Sequence, residues 1–551
     1  MPIFNNILAG ASGQATGYDI EQSLRFDDGD SAKLTRTPGS AGSLKKWTIS
    51  AWVKRGNLSD GVVISAGTYS EIKFSSDTLY VQVGPTNSTA YAIQTSAVYR
   101  DPSAWYHIVV HADTTQASAS NRLKLYVNGE EVTAFSTDQR SSISQDVALT
   151  FTGAYEHRIG DDESSAYFDG YIAEVHLIDG QALTPASFGE TNSDTNQWQA
   201  IKYAGSYGTN GFYLKFQDSS ALGDDSSGNT NDFSATNLVA TDQVLDSPTN
   251  NFATLNPLWR NHSGGTSTFS EGDLKQYNQY GDVYWPSTQE LPTTGKWYFE
   301  CYGDTGTGMY GIRMQDNAGS TNPTIANGDK AYLWTSSGIE YPKNTVVNST
   351  TYASGDILGF AVNLDDGEIK FYKNNSLAYT GTNMNTLGYD YLLPVFWHTD
   401  GSTVWVNFGQ DSSFAGTKSG SASAQDANGK GDFFYTPVSN HLALCTDNLP
   451  DPSIADPTKH FDTTLYTGTG ATKSISSLAF APDFTWIKSR DNAYLHNLQD
   501  TIRGAGESLF SNNTDEETTD PDSITSFDSN GWTMGADDSS WTVNKSGPTY
   551  V

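Results

Sequence analysis

Glu271-Gly272-Asp273 is the nearest approach in this chain to E-x-D-x-x-E, the strand pattern that sets three carboxylates on one face. A retaining glycosidase needs two carboxyl groups ~5 to 5.5 Å apart, one as nucleophile and one as proton donor. The third position here is Gln276, which has no proton to give, so the pattern is incomplete. His107 and His111 share a strand face, but four residues at ~3.3 Å each separate them by about 13 Å, too far to share a zinc ion. Ile108 follows His107, so the H-E-x-x-H arrangement is missing too. Neither a G-x-S-x-G elbow nor a phosphate-cradling G-K-[ST] loop occurs. The reading is of a chain that is not an enzyme, with no catalytic residue and no cofactor.

Three acidic clusters could offer oxygen to a hard cation: Asp27-Asp28-Gly29-Asp30, Asp161-Asp162-Glu163 and Asp224-Asp225. Calcium takes 6 to 8 oxygens, usually from a loop with D-x-D-x-D-G spacing. None of the three has that spacing, and Asp-Gly and Asp-Ser pairs are what tight turns use. The turn reading is preferred and no metal ligand is assigned, with calcium left open. Cys301 and Cys445, the two cysteines, each lie in an apolar run and read as small buried hydrophobes.

The 551 residues carry 31 Lys and Arg against 63 Asp and Glu, a net charge of −32, which repels a phosphate backbone and argues against nucleic acid as a partner. The 30 Tyr, 25 Phe and 13 Trp supply the core that a disordered acidic tail lacks. No run of ~18 apolar residues occurs, so no membrane insertion is expected. Met1 to Gly10 has no positively charged start, and the first basic residue is Arg25. A secretory signal is therefore not expected, and synthesis and folding in the cytoplasm of the producing cell are.

The elements that must position any site are strands. Gly occurs 51 times, and Ser, Thr, Asn and Asp crowd the gaps between short apolar runs, which reads as all-β with many tight turns. The runs TLYVQV from Thr78 and RLKLYVNGEEV from Arg122 alternate, and Asn128-Gly129 predicts a two-residue hairpin turn. Short helices are expected around Thr184 to Phe188 and around Asp500 to Leu509. Composition shifts at Asp246 to Leu258 and at Gly416 to Asp432 mark two joints. They divide the chain into an N-terminal anchor peptide (1–20), three β modules (21–250, 251–415 and 432–551) and a Gly/Ser-rich linker (416–431).

The runs SLRFDDGDSAKL, WTISAWVKR (Trp47 to Arg55), AWYHIVVHAD (Ala104 to Asp113), RLKLYVNGEEV and YFDGYIAEVHLIDGQALTPASFGE (Tyr167 to Glu190) follow one another in a familiar order. The first module resembles the laminin G-like, concanavalin A-like jelly roll, and two stacked antiparallel sheets would bury its apolar faces. GKWYFECYGD (Gly295 to Asp304), GIRM (Gly311 to Met314), SGDILGFAVNLDDGEIKFYKNNSLAY (Ser354 to Tyr379) and LLPVFWHTDGSTVWVNFGQ (Leu392 to Gln410) come in the order of a SPRY domain. That family implies a binding fold without catalytic residues, whose partners engage loops at one end of the sandwich. The third block, with FAPDFTWIKSRDNAYLHNLQDTIRG (Phe480 to Gly504) and SITSFDSNGWTM (Ser523 to Met534), resembles a module that follows such domains in virion proteins of marine bacteriophages. In that module the last strand usually continues beyond Tyr-Val, so the resemblance leads one to expect either a fragment of a longer polypeptide or a natural shortening at Val551.

Together these resemblances imply serial β-sandwich modules in a structural virion protein, a tail fibre or similar appendage that attaches to and recognises the host without catalysis. A capsid fibre or decoration protein, a virion polysaccharide depolymerase and a bacterial surface adhesin are the alternatives. The implied partners are other virion proteins through the N-terminus, a host surface glycan or protein, and further copies of the chain, with a trimer favoured by the likeness to phage fibres. Ile3, Phe4, Ile7 and Leu8 are the docking side chains expected in the anchor. Tyr332, Trp334, Trp397 and His398, aromatic groups before turns, are the expected ligand-binding residues, because aromatic faces beside carboxylates suit sugar rings. The competing reading of these four is core.

Overall fold

The structure is a computed structural model and describes residues 18–85, 90–163, 166–259, 266–280, 284–315, 329–389, 391–398, 400–536 and 543–551. Ile3, Phe4, Ile7 and Leu8 lie outside the described residues. The fold is all-β, and among the described residues no helix reaches seven residues. None is long and apolar enough to cross a membrane. Two compact units divide the chain, 1–192 with 197–452, and 193–196 with 453–551.

The larger unit holds two sandwiches. In the first, one sheet runs Glu130–Glu131, Leu123–Val127, Trp105–Asp113, Lys46–Arg55, Gly170–Asp179, Ser23–Phe26, Gln243–Val244, with Phe212–Leu214 also paired to Gly170–Asp179. The facing sheet runs Phe135–Asp138, Tyr91–Val98, Thr78–Val83, Glu71–Ser75, Gly61–Ala66, His157–Ile159, Lys33–Arg36, Ser234–Thr236. Period-two alternation drives the packing: Ile72 and Phe74 on one strand and Leu79, Val81 and Val83 on the next point inward, while Lys73, Tyr80 and Gln82 between them stay partly exposed. Asn128 and Gly129 both take positive φ (49° and 86°), the geometry of a tight hairpin turn, and join Leu123–Val127 to Glu130–Glu131 with Val127 opposite Glu130.

The second sandwich pairs an eight-stranded sheet built on Lys296–Gly303, Leu358–Asn363, Glu368–Lys373 and Ser402–Asn407 with a six-stranded sheet built on Met309–Gln315, Ala331–Thr335 and Tyr391–Trp397. Its core is aromatic: Trp297, Phe299, Tyr310, Trp334, Phe360, Phe371, Phe396 and Phe408 are all buried. Phe299 stacks on Phe360 at 4.9 Å, and Phe360 meets Phe371 edge to face at 5.4 Å. The chain on either side of residues 416–431, the expected linker, packs on this sandwich, and Lys418 within them is tied to it. Phe414, Phe433 and Phe434 are buried, Lys418 donates to the Gly355 carbonyl at 2.7 Å, and Leu442–Ala443 joins the Lys296–Gly303 strand in parallel. Glu300 ties residues 434 and 435 down, accepting the Phe434 and Tyr435 amides at 2.9 Å each, and burial pushes its carboxyl up to about 7.

Buried charge crosses between the two sandwiches. Arg25 of the first, 1 % exposed, pairs with Asp411 at 2.7 Å and with Glu271 at 3.1 Å, both in the second, and with Asp242 at 3.1 Å. Lys54 is wholly buried and pairs with Asp246 at 2.7 Å. It also donates to Asn251 Oδ1 at 2.7 Å and to the Phe252 carbonyl at 3.1 Å, holding the joint between the sandwiches against the first sheet. The Tyr171 hydroxyl reaches the Gly272 carbonyl at 2.6 Å.

The smaller unit is built from three small sheets around Tyr466, Ile475, Ile487, Ile524, Trp532, Met534 and Tyr550. Residues 500–509, expected as a helix, form the end of strand Asn497–Asp500, a turn, and strand Glu507–Phe510. Asp500 Oδ1 accepts the amides of Ile502 and Arg503, and Gly504 and Gly506 sit at φ of 106° and 85°, so the chain turns where a helix would need continuous αR backbone. The sheet of these strands is inverted in polarity. Thr485, Asn497, Gln499 and Ser508 are buried, with Gln499 Nε2 donating to Asn497, Ser508 and Ser523, while Phe484 and Trp486 face solvent at 55 % and 60 % exposure. The short helix expected at Thr184 to Phe188 is a single 3₁₀ turn, Pro185–Ser187.

Candidate functional site

Three of the four aromatic positions expected at a binding rim are core. Tyr332 and Trp334 lie on Ala331–Thr335, a strand buried on both faces. Trp334 is fully buried, its Nε1 donates to the Thr350 carbonyl at 2.8 Å, and its ring meets Phe371 edge to face. Tyr332 stacks on Tyr341 at 4.1 Å. His398 is 1 % exposed beside the Tyr310 hydroxyl, and burial lowers its imidazole to about 4 although Asp304 opposes this. Only Trp397 is partly exposed, packed beside Leu393 and Val395. The physical reason is that a strand end before a turn still belongs to its sheet, and here both faces of the sheet are covered.

His107 and His111 are likewise structural. His107 lies between Trp52 and Trp198, accepts from Trp198 Nε1 at 2.9 Å and meets Ser50 Oγ at 2.8 Å; burial lowers it to about 3. His111 sits against the Leu183 carbonyl. The segment from Leu183 to Tyr213 thus covers this sheet's outer face. Beneath it lies a residue the sequence reading passed over. Glu174 has φ of +52° at a break in strand register, is buried, and accepts hydrogen bonds from Tyr18 at 2.7 Å and Tyr213 at 2.5 Å. The signal was available as Glu174-Val175-His176-Leu177-Ile178-Asp179, a variant of the carboxylate strand pattern. Glu271 and Asp273, the incomplete pattern that was noticed, lie at the junction of the sandwiches, where Arg25 holds Glu271 and Asp273 is 1 % exposed.

Two acidic clusters follow the turn reading. Asp161 pairs with Lys33 and Arg158, and Asp225 accepts the amides of Tyr213, Ser227 and Asn231. Asp225 thereby rigidifies the loop from Asp224 to Asp232, which forms one wall of an open groove of about 570 Å³. Thr35, Arg36 and Thr37 at the end of one strand, Glu156 just before the next and Ser234 on the edge strand form the rest, with Thr230, Asn231 and Asp232 from the loop. Asn231 accepts from Arg36 Nη2, while Arg36 Nη1 has no protein partner. Burial lowers this guanidinium's pKa, and Asp225 and Asp232 oppose that. A groove lined by hydroxyls, two carboxylates, an amide and a guanidinium can donate to and accept from neighbouring hydroxyl groups, and it stands on rigid strands. The sequence did not mark it, because its residues come from three regions of the chain and none is unusual alone.

Comparison with known proteins divides the chain in three. Residues 27–188 match the concanavalin A-like lectin/glucanases superfamily, residues 296–411 match the SPRY domain, and residues 456–551 match a domain of unknown function, DUF7483. No curated protein matches the chain. Among solved structures, the TRIM65 PSpry domain is 16 % identical and covers 28 % of this chain and 91 % of its own, with a TM-score of 0.23. The heptameric SAP-like pentraxin from Limulus polyphemus is 17 % identical, covering 30 % and 80 %, with a TM-score of 0.23. Stonustoxin is 20 % identical, covering 28 % of this chain but 27 % of its own, with a TM-score of 0.22. A lectin-like domain and a SPRY domain, in one compact unit, point to a binding function.

Proposed function

We propose that this chain is a structural protein of a bacteriophage particle, a tail fibre or similar appendage, and that it recognises the host surface by non-catalytic binding of a polyhydroxylated ligand, a surface glycan, in the groove at Arg36. The observation that carries this reading is the groove itself. It is open and polar, it opens on the lectin-like domain, and its loop is held in place by Asp225. The module order, which resembles that of marine phage virion proteins, supports the particle assignment and with it a location on the virion and assembly as a homo-oligomer, a trimer by the same resemblance. The non-catalytic part is supported by the placement of Glu271 and Asp273 at the junction of the sandwiches, where Glu271 is paired with Arg25 and Asp273 is 1 % exposed.

The experiment is direct binding of the labelled full-length chain to host cells. Arg36→Ala is expected to weaken binding roughly tenfold to a hundredfold, the equivalent of ~1.5–3 kcal/mol for hydrogen bonds to a charged group. Melting should change little, since Arg36 is only partly buried. Binding unaltered in both Arg36→Ala and Asp232→Ala would remove the groove from the account.

A further inference from the structure

The third acidic cluster, Asp27-Asp28-Gly29-Asp30, is a turn as well, and it also gathers carboxylates from elsewhere in the chain. One carboxylate oxygen from each of Asp27, Asp28 and Asp169 lies within 4.8 Å of the other two, and a second set, Asp27, Asp30 and Glu271, meets the same criterion. Some of these oxygens are used by the protein. Asp27 accepts the amides of Gly29 at 2.7 Å and Glu271 at 3.2 Å, and Asp28 Oδ2 accepts from Asn57 at 3.2 Å and Ser59 at 3.3 Å. Asp169 is different. It is 3 % exposed, its Oδ1 takes the Asn57 amide at 2.9 Å, and its Oδ2 has no partner. Next to it in charge stands Asp273, 1 % exposed, with neither carboxylate oxygen partnered.

Unpaired buried carboxylates are costly, because desolvation penalises each charge and like charges repel. Both conditions are met here: Asp169 is 3 % exposed with Oδ2 unpartnered, and oxygens of Asp27 and Asp28 lie within 4.8 Å of its own. The nearby bases are committed: Arg25 to Asp411, Glu271 and Asp242, and Lys54 to Asp246. What would satisfy the cluster is one compact positive charge with several oxygen ligands.

We propose that a calcium ion binds between Asp27, Asp28 and Asp169, against Asp273, and ties the loop after the first strand to the Glu271–Leu274 turn of the second sandwich. The donor set is all oxygen with no His or Cys, which suits a hard cation, and a flexible mix of carboxylates with water suits calcium better than magnesium's strict octahedron. The ion would reinforce the Arg25 bridge between the sandwiches.

The test uses the full-length chain stripped with EGTA, titrated calorimetrically with calcium chloride and with magnesium chloride, and melted with and without each ion. One calcium per chain and a melting rise of several degrees are expected, with a markedly smaller response to magnesium. Asp169→Asn should weaken calcium binding at least tenfold and abolish the rise. Asp28→Asn, at a partly exposed position, supplies the same readout if Asp169→Asn does not fold. Calcium binding that persists in both variants would place the ion elsewhere and overturn the proposal, as would an equal response to magnesium. A chain that ignores calcium, and that Asp169→Asn stabilises equally with and without it, would show that the cluster holds a proton instead.

Discussion

Lys54→Met is expected to destabilise the larger unit by about 3–5 kcal/mol, the cost of leaving a buried partner charge uncompensated. Lys54 and Asp246 are both wholly buried at 2.7 Å. Burial alone pushes the Asp246 carboxyl up, and the Lys54 ammonium is the main force opposing that shift. Without it, Asp246 keeps only Trp105 Nε1, at 3.1 Å, as a side-chain donor. Asn251 and Phe252, which accept from Lys54, lose their donor as well, so the joint loosens from both sides. The double variant Lys54→Met with Asp246→Leu should recover most of the loss, because replacing both members of a buried pair with apolar groups is often neutral. Chemical denaturation of the two variants beside the wild type checks this. A single variant as stable as the wild type would mean that the pair contributes nothing to the junction.

Trp334→Ala should cost a similar ~3–5 kcal/mol, the range for emptying a buried aromatic site. The ring is fully buried between Tyr352 and Phe371, both edge to face, and its Nε1 satisfies the Thr350 carbonyl. A loss of that size lowers the melting temperature on the order of 10 °C. Host-cell binding, measured well below the lowered melting temperature, should be unaffected, since Trp334 is far from solvent. Lost binding with unaltered melting would return Trp334 to a ligand-facing role.

The fold was legible because its signals are local. Alternation along Thr78–Val83 and the Asn128-Gly129 turn each lie within a few residues, and each specifies strand or hairpin by itself. Residues 500–509 misled because one turn with two glycines separates two short strands and leaves no clear period. The sites were not legible, because they depend on partners far apart in the chain. Arg25 meets Asp411 across 386 positions, and Asp169 meets the 271–273 turn only once two sandwiches have docked. The Asp27-Asp28-Gly29-Asp30 run is an ordinary turn sequence until Asp169 is brought against it. Trp334 and His398 misled in the opposite sense: adjacency to a turn says nothing about which face of a sheet is covered, and in the six-stranded sheet both are.

The most direct measurement of the proposed role is the rate at which phage particles that carry this chain adsorb to host cells preincubated with a saturating amount of the full-length chain. Occupied receptors are expected to slow adsorption at least tenfold, and the Arg36→Ala chain at the same concentration should slow it far less. Adsorption at the untreated rate, on cells shown to carry the bound chain, would contradict the account: the chain would then bind the cell without serving the particle's attachment.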